Sequence, residues 1–453
     1  MKKNSCLLSA LLLFTIASSP LIDNAFAGEN NRDGLKHAPK NIIVLISDGC
    51  GYNHMDAASL YQSGRTGVQV YEHFPVQLAM STHMYLSSYD PARAWTDFEY
   101  VKDNPTDSAA AATAMSTGEK TYDGAIGVNS DGMHLKHVMQ QAEERGMATG
   151  VITSVEWSHA TPAGFVAHNP SRNNYAAIAQ EMVYASATDV IMGCGHPWFD
   201  KNGIVKSTPN TFKYVGDEST WNDLVAGTAA SDADGDGDDD LWTLIQTRDE
   251  FQALMTGSTP DRVMGIAQVY TTLQQERGGD VYADPYAEPL IDSVPTLEEM
   301  TRAALNIVDN DPDGFVLMVE GGAVDWAAHA NHSGRVIEEE IDFNHSVEAV
   351  VEWVEKNSNW GETLVIVTGD HETGYLNGPG SDPAWMPLVN NGAGYLPGME
   401  WHSGDHTNSL IPFFAKGRGA TLFRKNPGVL SDPVRGNYID NTMIAEVLFG
   451  LLN

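Results

Sequence analysis

Cysteine is scarce in this chain: three in 453 residues, at positions 6, 50 and 194. That excludes a disulfide-stapled scaffold and a cysteine-rich metal knot. No apolar run approaches the ~20 residues that a membrane helix needs. The one sustained apolar stretch, Leu7 to Ala17, follows Lys2-Lys3 and precedes Ala25-Phe26-Ala27. It reads as a secretory signal with a small-x-small cut after Ala27. The expected location is therefore periplasmic, with release outside the cell as the alternative. Beyond the cut only Cys50 and Cys194 remain, and one disulfide or two free thiols both stay open. Basic residues are also few: 26 Lys and Arg stand against 60 Asp and Glu, for a formal net charge of -34. Lys2, Lys3 and Asp23 together carry +1, so the chain after Ala27 carries -35. Nucleic acid and anionic membranes are poor partners for such a chain, because the phosphate term would be repulsive. A halophilic acidic surface fits the balance, since salt screens the self-repulsion.

The length suits one large domain with insertions, or two domains. Residues 28–40 read as a polar linker, and the folded domain as 41–453. Strand-like runs at 42–46, 149–153, 189–193, 262–267, 315–319, 364–368 and 411–415 alternate with helical stretches at 108–116, 135–145, 174–185, 297–308, 323–330 and 337–356. This alternation predicts an α/β fold, a three-layer α/β/α sandwich around a largely parallel sheet. Residues 196–260 break the rhythm, and the whole span 196–300 reads as a peripheral, crown-like insertion. Within it, Asp232-Ala-Asp234-Gly-Asp236-Gly opens like a calcium loop. The twelfth position is Thr243 where an EF-hand has Glu. Calcium at Asp232, Asp234 and Asp236 and a solvated acidic turn both remain open.

Three apolar runs end in side chains that bind metals. Ile42 to Ile46 leads into Ser47-Asp48-Gly49; Phe315 to Val319 leads into Glu320, Asp325 and His329; Leu364 to Val367 leads into Thr368-Gly369-Asp370-His371. Short β-branched runs read as buried parallel strands, and open α/β sheets bind ligands beyond the carboxyl ends of such strands. Four carboxylates and two imidazoles there predict one polynuclear metal site. Asp325 and His329, four apart on a helix, share a face. His406, in Ser403-Gly-Asp-His406-Thr, would complete three protein ligands around a zinc with one open position. His402 competes for the same place, and spacing does not choose between them. Asp48, Asp370 and His371 could hold a second ion. Ser108 opens an alanine-rich helix, where backbone N–H groups favour an anion, although Ser and Asp are also ordinary helix caps.

Thr106-Asp107-Ser108-Ala109-Ala110-Ala111-Ala112-Thr113-Ala114, with Thr121-Tyr122-Asp123-Gly124 after it, resembles the nucleophile segment of the alkaline phosphatases. The other blocks follow in order: Ser47-Asp48-Gly49, His159-Ala160-Thr161-Pro162-Ala163, Arg172, Val319-Glu320-Gly321, Asp325 to His329, Asp370-His371 and Gly404-Asp405-His406-Thr407. The likeness spans about 41–450. It implies a homodimeric hydrolase of small-molecule phosphate monoesters with two zinc ions and one magnesium. By resemblance, Ser108 is the nucleophile that becomes phosphorylated, and Arg172 grips two phosphate oxygens. Asp325, His329 and His406 match the first zinc site. Asp48, Asp370 and His371 match the second, which Ser108 also joins. Asp48, Thr161 and Glu320 match the magnesium site, with His159 beside them as a further ligand. His159 stands where one well-known branch has Asp, and Trp326 where it has Lys; both look like the cold-adapted and marine bacterial branch. This implies weaker magnesium holding at the third site and easier product release.

Two other readings are weaker. A sulfatase needs a Cys or Ser in C/S-x-P-x-R, whereas alanines follow Ser108; a phosphodiesterase has no use for an Arg clamp on a dianion. A non-catalytic acidic metal-binding protein would leave Ser108 and Arg172 without a task.

Overall fold

The computed structural model describes residues 38–233 and 237–453. The signal expected at 1–27, most of the linker, and Asp234 and Asp236 of the acidic turn lie outside the described residues. Eleven strands form one sheet. In chain order they are β1 (Asn41–Ser47), β2 (Val76–Ser81), β3 (Ala148–Glu156), β4 (Val190–Cys194), β5 (Thr243–Ile245), β6 (Val263–Ile266), β7 (Phe315–Gly321), β8 (Thr363–Gly369), β9 (Ile411–Gly417), β10 (Leu430–Asp432) and β11 (Gly436–Asp440). Across the sheet they run β10-β11-β2-β9-β8-β1-β7-β3-β4-β6-β5. The stretch from β8 to β5 is parallel throughout. On the other side, β9 runs antiparallel to both β8 and β2.

The helices that matter for the site are α1 (Ser108–Thr117), α2 (Ala160–Val166), α3 (Leu297–Val308), α4 (Ala323–His329), α5 (Ser333–Asn357) and α6 (Thr442–Leu452). They cover both faces of the sheet, which is why the central strands read as unbroken apolar runs rather than alternating ones. Every residue of β1, β7 and β8 is buried. Successive side chains of β1 part to opposite faces as strand geometry requires. Ile42, Val44 and Ile46 join a core with Ala112, Met115 and Ile444; Ile43 and Leu45 join another with Met300, Phe343 and Val347.

Register places the chemistry. Ser47 of β1 pairs with Gly369 of β8 and Gly321 of β7, so these three strands end level. Asp48, Asp370-His371 and the turn into α4 therefore leave the sheet side by side. Gly49 then turns with a φ of +75°, and a Cβ there would lie 2.8 Å from Asp325 Cα. Only glycine fits that approach without displacing α4.

Several elements differ from the sequence reading. The helix expected at 337–356 begins at Ser333. β2, β10 and β11 extend the sheet although Gln77, Ser431 and Asn437 interrupt their apolar pattern. The span 196–300 is not wholly peripheral: β5, β6 and the start of α3 lie within it, so it builds one edge of the main sheet. The three residues of β5 are too short a run to stand out as a strand. Cys50 and Cys194 are buried free thiols. Among the described residues no helix is long and apolar enough to cross a membrane.

Helix α1 packs on α2 and α6 through small side chains. A Cβ added at Gly164 of α2 would sit 2.7 Å from Ala112 Cβ of α1. Gly164→Ala should therefore destabilise the protein by about 1–3 kcal/mol through overpacking. Urea unfolding measures this, and an unchanged midpoint would show that the two helices part freely.

Candidate active site

The parallel strand ends bring four carboxylates into one buried place. Asp48, Glu320 and Asp370 are fully buried and Asp325 is 5% exposed. Both oxygens of Asp48, Oδ2 of Asp370 and Oε1 of Glu320 have no hydrogen-bond partner. Unpartnered carboxylate oxygens in a protein interior are costly, so each needs a cation or a proton. Burial, followed by the charges of Asp370, Asp325 and Glu320, pushes Asp48 well above the usual carboxylate range. Burial likewise raises Asp370 to about 6 and Glu320 to about 7.

Three imidazoles face these acids. The two-residue strands Glu372–Thr373 and His406–Thr407 pair antiparallel, which brings the His406 loop beside His371. The rings of His371 and His406 stack with centroids 3.6 Å apart. His406 Nδ1 lies 2.8 Å from the Thr106 carbonyl, and His329 Nδ1 lies 2.9 Å from the Gly404 carbonyl. Carbonyls only accept, so both Nδ1 atoms carry the proton and both Nε2 lone pairs point inward. The two Nε2 atoms are 2.9 Å apart. They lie 3.5 and 3.4 Å from the oxygens of Asp325. Two lone pairs converging with a carboxylate make a metal-ligand geometry. Burial disfavours the charged ring, but Asp325 outweighs it and lifts His406 to about 9. Burial also pushes Asp325 up, yet His406, His329 and His371 outweigh it and hold that carboxyl below its usual range.

The second group forms around His371. Its Nε2 lies 3.5 Å from Asp48 Oδ1, 3.3 Å from Asp370 Oδ2 and 3.2 Å from Ser108 Oγ. Ligand atoms of Asp48, Asp370 and His371 converge within 4.8 Å, as do those of Asp325, His371 and His406. The donor sets fit two adjoining divalent ions, His-rich on the exposed side and carboxylate-rich on the buried side. The deeper corner is all oxygen: Glu320, with Thr153 donating to it at 2.5 Å, and the partnerless hydroxyl of Thr161. Hard oxygens of this kind suit magnesium.

Ser108 is the first residue of α1, and the Asp107 cap accepts from the Ala110 N–H at 3.0 Å. Asp107 also accepts from Arg172 Nη1 at 2.8 Å. Arg172 Nη2 donates to His159 Nε2 at 3.2 Å. His159 Nε2 thus meets the guanidinium, its Nδ1 is buried without a partner, and it joins none of the converging His, Asp and Glu groups. Its position just before α2 turns the ring toward Arg172, and burial followed by the guanidinium charge holds it down at about 3. His402 is remote from the cluster, packed against Phe98 and Tyr375. Sequence reasoning missed Thr373, whose hydroxyl donates to Asp325 at 2.6 Å, and Thr153. Threonines at strand ends carry no signal that separates these from the rest. Ser108, His159, Arg172, Trp326 and His332 line an open cavity of about 400 Å3 above the cluster.

A buried serine at a helix N-terminus, an arginine beside it and adjoining metal-ligand groups define a metal-dependent phosphomonoesterase. The comparisons agree. The alkaline phosphatase family model matches residues 39–393. Alkaline phosphatase 3 of Bacillus subtilis is 32% identical over 383 residues, 81% of this chain and 69% of that protein. The Escherichia coli alkaline phosphatase is 30% identical over 360 residues, 75% of this chain and 72% of that one. The chain belongs to the alkaline phosphatase family. Two solved structures share the fold at 24% identity: the alkaline phosphatase of the Antarctic bacterium TAB5, with a TM-score of 0.62 over 92% of this chain and 98% of that one, and a cold-active alkaline phosphatase of a psychrophilic Shewanella, with 0.64 over 91% and 100%.

Two predictions rest on this geometry. Asp107→Asn keeps the helix cap but loses the charge that holds Arg172, so the inhibition constant for inorganic phosphate should rise roughly three- to tenfold at an unchanged melting temperature. Asp107→Ala should also lose about 1 kcal/mol of stability with the cap. Inhibition assays and melting curves on both variants separate the two effects. The second concerns pH. Glu320 and Asp370 are raised from ordinary values of 4.5 and 3.8 to about 7 and about 6. Their contribution is complete below the unfolded values and is lost as pH rises through the folded ones. The chelated protein should therefore melt lower at about pH 8 than at about pH 5, and divalent ions should remove that difference. A chelated protein with a flat profile would show that these acids are neutralised otherwise.

Proposed function

We propose that this protein hydrolyses phosphate monoesters through a phosphoserine at Ser108, in a site of two zinc ions and one magnesium. The observation that carries the reading is Ser108 Oγ at 3.2 Å from His371 Nε2, beside carboxylates whose lone pairs have no partner. Asp325, His329 and His406 would hold one zinc, and Asp48, Asp370 and His371 the other. Asp48, Thr161 and Glu320 would hold the magnesium. Bound there, divalent ions supply Lewis-acid stabilisation of the attacking and leaving oxygens.

The protein's own groups do the rest. Ser108 Oγ forms a bond to phosphorus as the ester P–O bond breaks and the alcohol departs with a proton. Water then attacks phosphorus, phosphate leaves, and Ser108 regains its proton. The start of α1 offers backbone N–H groups to the phosphoryl anion. Arg172, braced by Asp107 on one side and His159 on the other, presents its guanidinium to the equatorial oxygens. Two variants of the TAB5 enzyme, in which a histidine is replaced by Glu or Asp, have magnesium bound in the M3 site. By that analogy His159, a neutral ring turned to Arg172, leaves the third site short of a carboxylate and its magnesium loosely held. The signal read at the N-terminus supports a periplasmic place of action, and the family resemblance supports a homodimer.

Ser108→Ala should lower p-nitrophenyl phosphate hydrolysis by several orders of magnitude while metal content stays unchanged. Chelation should abolish activity in the parent, and elemental analysis should return two zinc per chain. Retained turnover in Ser108→Ala would refute the phosphoserine.

A further inference from the structure

Thr373 stands where the elements that carry the two metal-ligand groups meet. It is fully buried, in the two-residue strand after His371, and its register partner is His406. Its N–H donates to the Gly49 carbonyl at 3.0 Å, which ties it to the turn after Asp48. Its carbonyl accepts from His54 Nε2 at 2.9 Å. The Gly51 N–H donates to Nδ1 of that ring at 3.2 Å, so the ring proton is on Nε2. A Cβ on Gly49 would lie 2.9 Å from the Thr373 hydroxyl, so the turn and this side chain are fitted to each other. With its N–H and its carbonyl both engaged, Thr373 projects its hydroxyl from a fixed point.

That hydroxyl has two partners, one from each group. It donates to Asp325 Oδ1 at 2.6 Å and lies 3.2 Å from His371 Nδ1. A hydroxyl has one proton, and a carboxylate only accepts. The short contact to Asp325 therefore takes the hydroxyl proton, and His371 Nδ1 is the N–H that donates to the hydroxyl oxygen. With its proton there, His371 turns the Nε2 lone pair to Asp48, Asp370 and Ser108, at 3.5, 3.3 and 3.2 Å. The Asp325 oxygen held by Thr373 is the one 3.4 Å from His406 Nε2. His329 and His406 have their Nδ1 atoms on main-chain carbonyls. His371 differs, because its Nδ1 meets a side chain that a substitution can remove.

Building on the two-zinc reading above, we propose that Thr373 is a positioning residue that serves both zinc sites at once: its hydroxyl keeps His371 in the tautomer whose Nε2 can bind metal, and it orients Asp325 toward His329 and His406. A hydrogen-bond partner of a metal ligand is worth about 10–100-fold in metal affinity. One hydroxyl shared by both groups makes that loss fall on two ions together.

The test is zinc affinity, read by competition with a chromophoric chelator. The parent should hold two zinc equivalents. Thr373→Val keeps the branched shape and removes the hydroxyl; Thr373→Ser keeps the hydroxyl and removes the methyl. Both equivalents should weaken by about 10–100-fold in Thr373→Val and by less than about threefold in Thr373→Ser. A packing role gives the reverse order, because Val preserves the methyl contacts that Ser gives up. Unchanged affinity in Thr373→Val, weakening of one equivalent alone, or a loss in Thr373→Ser as large as in Thr373→Val would each overturn the assignment. If Thr373→Val does not fold, Thr373→Ala against Thr373→Ser makes the same comparison, since neither has the methyl and only Ser has the hydroxyl. A parent that binds fewer than two zinc ions would instead overturn the two-zinc reading. The two failures are therefore distinguishable.

Discussion

The constraint on which this site depends is electrostatic: four carboxylates are buried at the level ends of parallel strands with too few donors to meet them. Asp48, Glu320 and Asp370 are buried completely, and four of their six oxygens have no partner. The guanidinium beside the site, Arg172, is committed to Asp107 and His159. A fold that gathers such charge holds together only if cations enter it or protons stay on it. Burial raises these acids, so that either protons or divalent ions can balance them. Metal binding is thus built into the stability of the central sheet as well as into the chemistry.

The second ordering influence is the main chain. His406 and His329 each give their Nδ1 proton to a carbonyl, of Thr106 and Gly404. These contacts fix the tautomers and aim both Nε2 atoms at Asp325. Thr106 lies two residues before Ser108, so the start of α1 and the His406 imidazole share a direct link. Displacing α1 would turn His406, and loss of His406 would loosen the approach to Ser108. Close packing of α1 on α2 and α6 through alanines and Gly164 keeps that link in register.

Much of this was legible in the sequence because burial on both faces leaves a plain mark. β1, β7 and β8 appear as unbroken β-branched runs, and their acidic ends follow at once. Asp325 and His329 were legible from helical spacing. The parts that were not have physical reasons. β2, β10 and β11 lie toward one side of the sheet, where polar residues interrupt the pattern. β5 is three residues long and owes its existence to pairing with β6. Spacing left His406 and His402 open and the resemblance pointed to His406; the pairing of Glu372–Thr373 with His406–Thr407 is the physical reason, a contact between segments that spacing does not encode.

The triangle of Asp107, Arg172 and His159 shows how one site can trade grip against release. A guanidinium has five N–H donors, and here two of its nitrogens are already engaged by protein acceptors. Asp107 is an anion that holds the Arg172 fork toward Ser108, and the grip this orientation provides outweighs the charge it takes from the guanidinium. His159 occupies the other nitrogen without charge, because burial and the guanidinium together keep the ring neutral. A carboxylate in its place would compete for the same nitrogen as an anion. With a neutral ring, Arg172 keeps more of its charge for an anion in the cavity. Under the mechanism proposed above, the histidine would leave more of the grip on phosphate to the guanidinium, so that residues taking no part in bond making would set the balance between binding and departure.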